Sequence, residues 1–73
     1  MKYYKGDIVW VTQKDGDFDM PCVFDSYPYW MYEDFYAYPC GGERKLKFCP
    51  ARFYNVSLYK RPFWNHIKAL FGW

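Results

Sequence analysis

No run of apolar residues in this chain approaches the ~20 that a membrane-spanning helix needs. No leader is visible either: Met1-Lys2-Tyr3-Tyr4 runs straight into a strand pattern, which leads to the expectation of a cytoplasmic protein. The cysteines, Cys22, Cys40 and Cys49, are odd in number and none stands close to another. A disulfide framework and a cysteine-rich zinc site are therefore not expected, and free thiols fit a reducing compartment. The single histidine, His66, has no serine or paired carboxylates spaced around it as nucleophile and base. Gly41-Gly42 reads as a turn, and no glycine-rich phosphate loop occurs. Asp15, Asp17 and Asp19 alternate like the start of a calcium loop. Met20 stands where that loop needs glycine, however, and Ser26 where it needs glutamate. Internal repeats and low-complexity linkers are missing too. The expectation is a non-catalytic protein with no cofactor and no metal.

What the chain does have is rings. Nine Tyr, seven Phe and four Trp make up 27% of 73 residues. Rings bury much area with few rotatable bonds, which suits a small core. So small an interior cannot hold them all, and a cluster left outside is ordinarily a contact surface. Charge is divided as well. Residues 1–37 carry three Lys against seven acids, and residues 38–73 carry seven Lys or Arg against Glu43 alone. Either the strands interleave these charges, or Arg44, Lys45, Lys47 and Arg52 form a basic face that attracts an acidic partner.

The most secure strand is the one ending Ile8-Val9-Trp10-Val11, where Ile8 and Trp10 point one way and Val9 and Val11 the other. It is expected within a first strand over Met1–Val11, its run fed by a Lys5-Gly6-Asp7 turn. Asp15-Gly16 marks the next turn. Further strands are expected at Met20–Phe24, with Pro21 near its start, and at Tyr29–Tyr32 and Phe35–Tyr38, though the Glu33-Asp34 junction, a poor two-residue hairpin turn, leaves a single irregular loop open for these last two. Two more follow: Arg44–Cys49, with Leu46 and Phe48 inward and Lys45 and Lys47 outward, and Phe53–Tyr59, with Tyr54, Val56 and Leu58 on one face. Pro50-Ala51-Arg52 reads as a tight turn between them. Pro62 opens a helix over Phe63–Phe71, whose Phe63, Ile67, Leu70 and Phe71 fall on one stripe, with Gly72 as its stop. So short a helix must pack on something, and it is expected to lie across an opening of the domain. A second role is open to residues 64–73, which with Lys60, Arg61 and Lys68 have the makings of a membrane-surface segment.

Two segments together resemble an SH3-like barrel. Tyr4-Lys5-Gly6-Asp7-Ile8-Val9-Trp10-Val11 is similar to the turn and strand that open the second strand of SH3 domains. Phe48-Cys49-Pro50-Ala51-Arg52-Phe53-Tyr54 is similar to the late proline-containing turn before their last strand. The resemblance covers about fifteen residues. It implies one mainly β domain: a small SH3-like barrel of five or six short strands over residues 1–61, with an aromatic insertion at 27–40 and a short C-terminal α-helix over 62–73. The acidic loop that precedes the first strand in that family is missing, and Phe18 stands where those domains carry tryptophan. The barrel is thus what the resemblance implies, rather than polyproline binding. Gly6 to Val11 also resembles the opening of MazF-type endoribonuclease toxins, but no arginine occurs here before Arg44.

Strand alternation sends about half of the rings between Tyr27 and Tyr38 outward. Three roles are open to them: core packing, a protein-binding surface or homodimer interface, and a stacking platform for single-stranded nucleic acid beside the basic residues. Glu33 and Asp34 sit among the rings and repel phosphate. The reading carried forward is a non-catalytic module that binds a protein partner. Tyr27, Tyr29, Trp30, Tyr32, Phe35 and Tyr36 supply its anchors, and Lys45, Lys47 and Arg52 set orientation. Nucleic-acid binding is the alternative. Size and ring density fit a small virus-encoded protein that docks on a host factor.

Overall fold

The computed structural model describes residues 3–28 and 33–72. Val9 and Val11 are wholly buried and their neighbours Ile8 and Trp10 half-buried, as a strand with one face inward requires. They lie in β1 (Ile8–Gln13), which is followed by β2 (Asp19–Ser26), β3 (Phe35–Pro39), β4 (Lys47–Cys49), β5 (Tyr54–Lys60) and α1 (Phe63–Phe71). All strand pairs are antiparallel, in the order β4-β3-β2-β1-β5. β1 to β4 form a meander, and β5 returns to pair with the free edge of β1. The expected strand at Tyr29–Tyr32 lies outside the described residues. β3 comes from within residues 27–40, so that stretch contributes a strand to the sheet.

The sheet is curled but does not close into the expected barrel: β4 and β5 are its two edges, with no ladder between them. A flat five-stranded sheet would hold its edges about 19 Å apart. Here the connection is a single turn, in which Phe53 and Tyr54 both donate to the Pro50 carbonyl (3.0 and 3.1 Å). One turn cannot bridge a flat sheet, so the edges bend toward each other. Lys47 of β4 then reaches to within 5.7 Å of the Tyr54 ring of β5.

The concave side holds the core. Phe24 is its centre, with ring centroids of Tyr27 at 4.9 Å, Tyr3 at 5.8 Å and Phe35 at 6.0 Å. Val9, Val11, Cys22, Ala37 and Cys49 complete it. Tyr54, Val56 and Leu58 share this face, as expected, opposite Gln13, Val11 and Val9. β4 departs from expectation. Lys47 pairs with Ala37 and Cys49 with Phe35, so Lys47 and Cys49 face inward and Phe48 outward. In a strand of three residues a one-step slip turns every side chain over. The small Cys49 fits opposite Phe35, and Lys47 lays its stem over the rim with its ammonium 4.8 Å from the Phe18 ring.

All three cysteines are free, Cys22 and Cys49 buried and Cys40 exposed. Burial pushes both core thiols up to about 11; the neighbouring Cys49 and Cys40 add to this at Cys22, and Lys47 opposes it at both. A thiol reagent at neutral pH is therefore expected to label Cys40 and spare the other two. Fast labelling of all three would mean that the core opens. Unfolded thiols ionise near 9.0, below the folded ones. Stability held below pH 9 is thus expected to decline as pH rises toward 11. A urea midpoint unchanged across that window would contradict the buried placement.

Candidate functional site

The outer face of an antiparallel sheet is ordinarily polar. Here it is covered by rings. Tyr36 and Phe48, cross-strand partners on β3 and β4, lie 5.3 Å apart. At the opposite edge Trp10 and Tyr59 lie 5.7 Å apart. Tyr59 is the extra residue of a bulge, because the register between β1 and β5 slips by one between Leu58 and Lys60. Trp10 Nε1 and Thr12 Oγ1 both donate to Asp19, which gives that aspartate a cross-strand role. The Arg44 guanidinium stands 5.6 Å from the Tyr38 ring. Phe48 and Tyr59 are exposed.

A second surface is the far side of α1. Pro62, in extended conformation, precedes the helix, and Gly72 ends it in the left-handed region (φ 74°), returning its N–H to Ala69 O. The expected apolar stripe does form, but it faces away from the body. Phe63, Trp64, Leu70 and Phe71 are all exposed, and the residue α1 buries is Asn65. The reason is Asp7, whose side chain is 0% exposed. Its carboxylate accepts from Arg61 Nε (3.2 Å) and Nη2 (3.0 Å), from Asn65 Nδ2 (2.7 Å) and from the Tyr4 N–H (3.0 Å). Asn65 Nδ2 also donates to Lys5 O at 2.9 Å, and the Arg61 guanidinium lies over the Tyr4 ring. The turn that shapes this pocket needs Gly6 at φ 95°. A charge-assisted clamp thus outcompetes apolar burial in deciding which face of α1 docks.

The expected anchors fall in several places. Tyr27 is half-buried against Phe24. Phe35 is in the core, so it is corrected from contact residue to packing residue. Tyr29, Trp30 and Tyr32 lie outside the described residues. Tyr36 is on the ringed outer face. Of the basic residues, Lys45 is exposed beside an open groove that Phe18, Pro39 and Leu46 also line. Lys47 covers the core rim, and the exposed Arg52 lies over Phe53 at 4.9 Å. The three are not one patch of free charge.

No family model, curated protein or solved structure matches this chain.

Its contact chemistry therefore rests on the geometry alone. Among the described residues no group of His, Cys, Asp or Glu is placed to hold a metal ion. No described helix is long and apolar enough to cross a membrane. Sequence reasoning missed the Asp7, Arg61 and Asn65 clamp. Its one visible signal was the Lys5-Gly6-Asp7 turn, with Arg61 and Asn65 one helical turn apart at the other end of the chain.

Proposed function

We propose that this domain is a non-catalytic binding module, an SH3-like fold left open along one seam, that engages a protein partner through the ringed outer face of its sheet. The observation behind the binding role is that Trp10, Tyr36, Tyr38, Phe48 and Tyr59 occupy a solvent-facing side where polar residues normally stand. Tyrosine and tryptophan give large contact area at small entropic cost, the usual basis of a binding hot spot. Arg44, over the Tyr38 ring at 5.6 Å, carries positive charge at this face and sets approach rate and orientation toward an acidic partner. The SH3-like reading draws on the Tyr4–Asp7 turn before β1 and the Pro50–Phe53 turn before β5, each as the resemblance implies.

Affinity capture from a lysate with wild type and with Tyr36→Ala/Phe48→Ala tests the binding role. The double variant is expected to retain less than about a tenth of the specific capture, since two anchor rings carry about 1.4 kcal/mol or more between them. Equal recovery by both would remove the outer face as the contact surface. The Arg44–Tyr38 pairing supports a second reading, stacking of single-stranded nucleic acid. Salt separates the two: phosphate contact gives a steep fall of affinity with salt, and ring burial a shallow one.

A further inference from the structure

The exposed stripe of α1 is a different surface from the outer face of the sheet, and it poses its own question. At about 100° per residue, Leu70, Phe63, Ile67, Phe71 and Trp64 follow one another across about 120° of the helix. Lys68 borders the stripe on the Trp64 side and His66 on the Leu70 side. Asn65, held to Asp7, sits nearly opposite its middle. Trp64 is 72% and Leu70 81% exposed. The domain therefore fastens α1 by its polar back and projects the apolar side outward.

Charge identifies what covers it. From Arg44 to the end of the chain there are seven Lys or Arg and no acid. Arg61 is spent on Asp7, whereas Lys60 and Lys68 are exposed. A helix with aromatic and aliphatic residues on one side, Lys68 at one border, Lys60 shortly before it in the chain and no negative charge complements a surface that is apolar beneath and uniformly negative above. Phenylalanine and tryptophan side by side suit the boundary between headgroups and acyl chains. A protein groove would accept the apolar stripe as well, so the charge around it is what favours a uniformly negative surface.

We infer that α1 docks the domain on an anionic lipid surface. The helix lies in the plane of the interface with Phe63, Trp64, Leu70 and Phe71 about 5–10 Å into the headgroup–acyl boundary and Ile67, half-buried, behind them. Lys60 and Lys68 meet the negative headgroups, and the Asp7 clamp keeps the sheet above the surface with its ringed face free.

Co-sedimentation with phosphatidylcholine vesicles, with and without phosphatidylglycerol, tests this on the full chain. Wild type is expected to partition onto the anionic vesicles roughly thirtyfold more strongly than onto neutral ones, the effect of two lysines near the surface, and to lose most of that preference in high salt. Trp64→Gln/Leu70→Gln, at exposed positions that leave the fold intact, is expected to bind at least about tenfold more weakly. Phe48→Ala, on the sheet, is expected to bind vesicles like wild type, so failure here is separable from failure of the protein-binding face. The inference is overturned if wild type sediments with neither vesicle or with both equally. It is also overturned if the α1 variant binds like wild type or Phe48→Ala weakens as much as it does. Lipid-free capture of a protein by α1 without vesicle binding would give the stripe to a protein groove instead.

Discussion

Asp7→Ala is expected to lower the free energy of unfolding by about 3–5 kcal/mol, the usual result of removing one partner of a buried ion pair. Four donor contacts lose their acceptor at once, and Arg61, itself 13% exposed, loses its carboxylate partner. A domain this small has a total stability of about 5 kcal/mol or little more, so the variant is expected to be largely unfolded or to sit at the edge of unfolding. Urea denaturation followed by circular dichroism measures the loss. Amide exchange in 63–71 reports whether α1 is released first. Asp7→Leu/Arg61→Met is expected to recover part of the loss, because no charge is then left buried without a partner. A single variant within about 1 kcal/mol of wild type would show that the clamp is incidental and that something else holds the helix.

Phe24→Ala is the second large effect, expected at about 3–5 kcal/mol. Its ring touches Tyr3, Tyr27 and Phe35, which come from three separate segments and cannot all collapse into the space it leaves. Trp64→Ala removes a larger side chain yet is expected to change stability by no more than about 0.5 kcal/mol, because that ring is already in water. Thermal melts of the two variants side by side make the comparison. Equal losses would mean that Trp64 is packed after all.

Alternation sorted the residues of the longer strands onto two faces. In β1 the alternation separated Val9 and Val11 from Ile8 and Trp10, and in β5 it put Tyr54, Val56 and Leu58 on one face, without saying which side is inward. Where apolar residues occupy both faces, alternation is blind. Leu46 and Phe48 looked like the inner side of β4 because they are the larger apolar residues, but the space opposite Phe35 takes only the small Cys49. The helix was legible in extent, Phe63–Phe71, and its apolar stripe was legible too. Its docking face was not. That choice rests on an aspartate and an arginine more than fifty positions apart, and a pattern within one segment cannot register such a pairing. The ring surplus was legible as a number. Its location was less so: Phe35 went inside, Tyr36 outside, and the exposed rings gathered on Phe48, Tyr59 and α1 as well.

The place of β5 in the sheet also bears on synthesis. The meander of β1 to β4 can assemble as residues up to 49 emerge, each strand finding a neighbour made just before or after it. One border of β1 nonetheless stays bare until residues 54–60 have left the ribosome, and Asp7 waits longer still for Arg61 and Asn65. A nascent chain stalled before that point carries an open strand and an uncompensated carboxylate at its leading end. Such a chain invites pairing with its neighbours on a polysome until β5 is available.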